Sequence, residues 1–185
     1  MRRTLYLYLY LFLSLFWLTA HAAENPLIWG ESTTWGQFDH EFEDTAKWQE
    51  LQHQLPPYPR PENFIPISLG ARSSNQFFVD YASVSAGQDG VVRYSVVIRS
   101  PSGAETISFE GMRCQTGERK LYAFGRGDGK GGGTWSRNRN ARWEPIQTRN
   151  DFRGELFYHY FCTVEGAAKL PDIQRNLKSG GYYRD

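Results

Sequence analysis

Hydrophobic and polar positions alternate most cleanly between Val91 and Ser100. There Val92, Tyr94, Val96 and Ile98 recur at every second residue and so share one face of an extended chain. Strand chemistry continues on both sides, from Phe77 to Cys114, and is punctuated by Asp89-Gly90 and Pro101-Ser102-Gly103, both turn signals. The stretch therefore predicts three consecutive antiparallel strands. With Ser102 and Gly103 as a two-residue loop, Ile98 lies opposite Ile107 and Val96 opposite Phe109, which carries the apolar face onto the third strand. The same register sets Ser95 against Glu110 and Arg93 against Met112, leaving Arg93 and Glu110 as diagonal neighbours able to pair. A two-residue Asp89-Gly90 loop places Asp80 opposite Arg99, although a bulge at Gly87 or Gly90 would shift every partner.

Elsewhere the pattern is weaker. Asp44 caps an expected short helix in which Trp48, Leu51 and Leu55 fall at helical spacing, and Pro56-Pro57 ends it. Tyr58-Pro59-Arg60-Pro61 reads as a polyproline-like spacer, and Phe64 to Leu69, interrupted by Pro66, as an edge strand. Asn150-Asp151 caps Phe152 to Cys162, where Phe152, Leu156 and Tyr160 repeat every four; its aromatic run also suits a strand. Pro171 begins a terminal helix with Leu170, Ile173 and Leu177 on one side and Gly180-Gly181 as the stop. The expected fold class is α+β: an antiparallel sheet of consecutive hairpins, packed by two or three short helices.

The apolar run from Leu5 to Leu18 follows Arg2 and Arg3 and precedes Ala20-His21-Ala22, the plan of a cleavable secretory signal over residues 1–22. Cleavage takes 22 residues from 185 and leaves 163, enough for one domain over 44–185 with a sizeable core. No cysteine lies near the cleavage site, so the expectation is a periplasmic protein without a lipid anchor. No transmembrane segment would remain after cleavage. Residues 23–43, polar with Trp29, Trp35, Phe38 and Phe42 scattered among them, read as an extended arm.

Loss of Arg2 and Arg3 lowers the basic count from 21 to 19 against 20 acidic residues. A nearly neutral chain argues against nucleic acid as partner. Charge is uneven, with seven acidic residues and one lysine in 24–50, and nine basic residues and four acidic in 118–153. An intramolecular match between these regions is the simplest account.

Two cysteines in an exported chain are expected to pair, so Cys114 and Cys162 predict a disulfide. Chain entropy for a loop of about 49 residues puts its worth on the order of 4 kcal/mol. Between them, Gly125 to Gly133 departs from a Walker loop: Phe124 stands where a glycine is needed, and Gly131 follows Lys130 where Ser or Thr is needed. Its G-x-G-x-x-G spacing is followed by no helix pattern, so the stretch reads as a mobile loop and no cofactor is expected. Trp135 and Trp143, interleaved with arginines, are candidate binding aromatics for a glycan. Asp80 and Glu110 offer a carboxylate pair for glycoside chemistry, but pairing with Arg99 and Arg93 is the simpler role. His40, His53 and His159 lack metal-site spacing, and no metal is expected.

Several motifs in order, Phe77-Phe78-Val79-Asp80, Gly87 to Tyr94, Ser102-Gly103-Ala104, Glu110 to Cys114, Tyr122-Ala123 and Tyr160-Phe161-Cys162, resemble the cryptic neisserial protein one-like family of exported bacterial proteins. The likeness spans Trp48 to Cys162. It implies an envelope location and supplies no catalytic residues. The reading is an envelope binding or accessory protein without catalysis, and the alternative is a peptidoglycan or other glycan binder or hydrolase. The candidate polar cluster is Asp80, Arg93, Arg99, Glu110, Arg113 and Tyr122.

Overall fold

Valine, isoleucine and tyrosine fill the middle of the sequence, and they form the middle of the sheet. The computed structural model describes residues 48–147 and 151–181. The expected signal over 1–22, the expected arm over 23–43, the expected cap at Asp44 and Asn150 lie outside the described residues.

Strands β1 (Phe64–Ile67), β2 (Gln76–Ala86), β3 (Val91–Arg99), β4 (Glu105–Arg113), β5 (Glu118–Gly127) and β6 (Gly133–Arg137) pair antiparallel in chain order. The short β7 (Trp143–Pro145) lies beside the start of β5, and β6 beside its end, which completes seven strands. Pro66 places β1 at an edge as expected, since proline cannot donate to a ladder. Helix α1 (Phe152–Leu156) passes into a π-helical turn at Phe157–Phe161 and then a small hairpin, β8 (Cys162–Thr163) with β9 (Gly166–Ala167). Helix α2 (Leu170–Ser179) follows, with Pro171 in its first turn and Gly180 in the left-handed region at its end. The architecture is the α+β class expected, with two short helices and the Cys114–Cys162 disulfide.

Register differs from expectation by one residue between β3 and β4. Val97, not Ile98, faces Ile107, and Glu110 faces Tyr94. The turn has five residues, Ser100 to Ala104, because the Ser100 N–H donates to Ala104 O and Gly103 N–H donates to Ser100 O. A one-residue slip exchanges the two faces. Phe109 and Ile107 therefore leave the helix-covered side, and Ser108, Glu110 and Met112 join it. Between β2 and β3 the irregularity falls between Asp80 and Ser85, so Asp80 faces Ser95 and Arg99 faces Gln76.

Both faces are covered. On one, Val79, Val92, Tyr94, Val96 and Met112 pack with Phe152, Leu156, Phe161, Ile173 and Leu177 of the helical region. On the other, Phe109, Tyr122 and Ala123 pack with Leu55 and Trp135. The cover here is the segment from Trp48 to Pro59, which has no regular structure where a helix was expected. Its backbone is satisfied by the sheet: Asp89 accepts the Leu51 N–H at 2.9 Å, Arg93 donates to Leu51 O at 3.1 Å, and Trp135 donates to Pro56 O at 2.8 Å. Leu51, which a helix would have buried, is 48% exposed.

The glycine-rich stretch is likewise structured, as the end of β5, a turn and the start of β6, with Asp128 accepting the backbone N–H groups of Lys130 and Gly132. A side chain on Gly133 would overlap the Tyr58 ring and Arg126 O, so glycine there lets the N-terminal segment lie flat on the hairpin.

The disulfide joins the end of β4 to the start of β8 and so ties the helical cover to the sheet. Replacing both cysteines by alanine is expected to lower stability by about 2–4 kcal/mol, read from urea unfolding of the oxidised parent and the variant. An unchanged urea midpoint would contradict this role.

Candidate functional site

The six candidate polar residues do not form one cluster. Glu110 lies on the helix-covered face, wholly buried, where Arg153 grips both oxygens at 2.7 Å and Ser108 donates at 2.8 Å. Burial opposes its charge, but Arg153 outweighs burial and holds the Glu110 carboxyl below its ordinary range. Asp80 lies on the opposite face, buried, accepting from Ala82 N–H, and burial raises its pKa. The two carboxylates therefore point away from each other across the sheet. Arg99 is at the far end of β3, paired with Glu105 at 2.7 Å.

Arg93 and Tyr122 do come together, under a residue that pattern reading passed over. Glu50 accepts from Tyr122 Oη at 2.6 Å and Lys120 Nζ at 2.7 Å; Trp143 Nε1 donates at 3.3 Å, and Arg93 stands 3.7 Å away. Burial disfavours the Glu50 charge, yet the bonds from Lys120 and Tyr122, with the charges of Lys120 and Arg93, keep its pKa below 4.5. Tyr122 is pushed up by burial and by its bond to Glu50, so it stays a neutral donor. Arg93 binds Asp89 at 2.6 Å. Gly111 is bare because the Tyr122 ring lies across it, where a Cβ would collide. Nothing in the spacing of Glu50 announces this role, because its partners are 43 to 93 residues away.

Trp135 and Trp143 line the same face, and the N–H of each indole is engaged by the N-terminal segment, at Pro56 O and Glu50. Trp143 also meets Trp48 edge to face, with centroids 5.8 Å apart.

Arg113 lies at the edge of this assembly, partly buried. Its guanidinium stacks over the Trp48 ring, 3.9 Å from the centroid. Its buried Nε, like that of Arg93, is without an acceptor among the described residues, and Glu118 is 3.9 Å away. Trp48 is fixed in turn by its Nε1 bond to Asp89 O at 2.9 Å. Together they wall a cavity of about 640 Å³ between the β2–β3 turn, the end of β4, the β8–β9 hairpin and the start of α2. A smaller opening of about 370 Å³ is lined by Glu50, His53, Lys120 and Arg137. No group of three or more His, Cys, Asp or Glu side chains suited to a metal occurs among the described residues, and no helix there is long and apolar enough to cross a membrane.

A disulfide-tied antiparallel sheet, covered by helices on one face and by its own N-terminal segment on the other, is the class of protein these features define. The chain belongs to the CNP1-like family, whose model matches residues 43–178. Cryptic neisserial protein 1 of Neisseria gonorrhoeae (strain ATCC 700825 / FA 1090) is 30% identical over 147 residues, spanning 71% of this chain and 72% of that protein. No solved structure matches the chain.

Two outcomes follow from the carboxylates. Arg153→Met strands the Glu110 charge and is expected to cost about 3–5 kcal/mol, whereas pairing it with Glu110→Leu restores much of the loss; chemical denaturation of single and double variants measures both. Acid should loosen the N-terminal cover in two stages. Burial, then the Arg93 charge, depresses His53 below 6.5, so its contribution is whole above that pH and is lost as pH falls through the depressed value. Glu50, held below 4.5, contributes above that value and loses its part as pH falls further. Amide exchange of residues 49–55 against pH reads both stages, and Glu50→Gln should shrink the lower one and destabilise by about 1–3 kcal/mol.

Proposed function

We propose that this is an exported protein of the cell envelope that acts by binding, without catalysis, at the cavity walled by Trp48 and Arg113. The observation that carries the reading is a guanidinium stacked in place on an indole, its buried Nε without an acceptor among the described residues, beside a cavity of about 640 Å³. Openings of roughly 300–1,000 Å³ suit small ligands. Export is supported by the signal-like N-terminus and by a disulfide of the kind that persists in oxidising compartments.

Hydrolysis of a glycoside needs two carboxyl groups on either side of one bond. Asp80 and Glu110 occupy opposite faces of the sheet, and Glu110 is saturated by Arg153 and Ser108. The glycan reading built on Trp135 and Trp143 meets a further obstacle, since both indole N–H groups are already bonded within the chain.

The full chain, expressed in a Gram-negative host and recovered by osmotic shock, should begin at Ala23 and carry an oxidised cysteine pair. Native mass spectrometry of that material should show a small-molecule adduct that Arg113→Gln loses while keeping its fold by circular dichroism. Retention of the whole signal in a cytoplasmic product would refute export. An adduct-free parent, or an adduct kept by Arg113→Gln, would refute binding at this cavity.

A further inference from the structure

The arginines that pack on the sheet differ in how closely a carboxylate meets them. Arg153 grips Glu110 through two nitrogens at 2.7 Å, and Arg93 holds Asp89 at 2.6 Å. Arg113 has neither arrangement. Its one carboxylate neighbour, Glu118, is too distant for a hydrogen bond, although the Arg113 side chain is only 18% exposed. A buried donor without an acceptor is destabilising, so the site is more stable when an acceptor is supplied from outside.

The backbone holds Arg113 rigidly. It ends β4, paired with Val91 on one side and Glu118 on the other, and the next residue is the disulfide-bonded Cys114. The Trp48 stack fixes the head of the side chain. A guanidinium already ordered in this way loses little freedom when it binds, and its planar fork matches an oxyanion.

The rest of the lining is mixed in charge, with one further cation, Lys169, and two carboxylates, and both Lys169 and Glu165 are exposed. Lys169 lines it, and the first turn of α2 opens onto it at Leu170, a helix pole that favours negative charge. Asp89 also lines it, but its charge is answered by Arg93. Glu165 is the remaining carboxylate, exposed in the β8–β9 hairpin beside Val164, which is 89% exposed. Ala86, Ala167 and Leu170 give the cavity apolar wall.

We infer that the ligand presents an oxyanion, a carboxylate or a phosphate monoester, to Arg113, with Lys169 as the second cation and a compact apolar body against the alanine and leucine wall. This rests on the binding reading above and names the chemical class bound.

The test is a titration of the mature, disulfide-intact chain followed by the Arg113 Nε–H and Trp48 Nε1–H resonances in proton–nitrogen NMR. Sodium benzoate, phenyl phosphate and neutral benzyl alcohol serve as probes of similar size. Saturable shifts of both resonances with benzoate or phenyl phosphate, and none with benzyl alcohol, are expected. Whichever anion binds more tightly assigns the carboxylate or the phosphate source. Arg113→Gln should weaken that binding at least about tenfold, Arg113→Lys less so because charge survives without the fork, and Lys178→Gln on the exposed side of α2 should leave it unchanged. Equal response to benzyl alcohol, or no saturation with either anion, overturns the oxyanion assignment. If the native adduct persists in that event, the cavity binds something of another class; if the adduct is absent too, the binding reading fails with it.

Discussion

From Val91 to Val97, all seven consecutive residues of β3 are buried, so the central strand is enclosed on both faces. An antiparallel sheet commonly leaves one face to water; this one does not, and the rest of the molecule follows from that double enclosure. The helical region supplies one cover. A stretch of about a dozen residues without regular structure supplies the other.

Each cover is held by a carboxylate that is largely or wholly out of water. Glu110 projects from the sheet to Arg153 of α1, and the disulfide ties the same helical region a second time at Cys162. Glu50 projects in the opposite sense, from the cover to Lys120 and Tyr122 of the sheet. Both ion pairs are satisfied by further hydrogen bonds, the condition under which a buried charge can be tolerated. Tyr58 lies on the bare Gly133, where the sheet drops a side chain to admit the cover closely, and within the sheet the bare Gly111 makes room in the same way for the Tyr122 ring.

These arrangements leave the candidate site at a seam. Trp48 belongs to the N-terminal cover, Arg113 to the sheet, and Lys169 to the approach to α2, so the cavity exists only where both covers and the sheet meet. The family relation places this architecture in the CNP1-like family and, at 30% identity to cryptic neisserial protein 1, gives the family a fold in which such a seam can be sought.

Local chemistry along the chain was enough for strands β1 to β4, the edge position forced by Pro66, the cysteine pairing and the terminal helix between Pro171 and Gly180: alternation, a missing N–H, a pair of thiols, a left-handed stop. The sequence also marked Arg93, Arg113 and Tyr122, and Trp143 beside them, as worth attention. Register was beyond its reach, since turn length depends on Ser100 and Ala104 bonding across the loop, and one residue of slip sent Glu110 to Arg153 instead of Arg93. The helix expected around Trp48 was lost for a related reason: Asp89, Arg93 and Trp135 satisfy that segment's backbone more fully than a short helix with exposed ends would. Glu50, joined to partners as far as 93 residues away, and the unbonded Nε of Arg113 came from the way the chain folds in space. Hydrogen bonding and burial are properties of places in space, and no spacing along the chain encodes which charges will find a partner there.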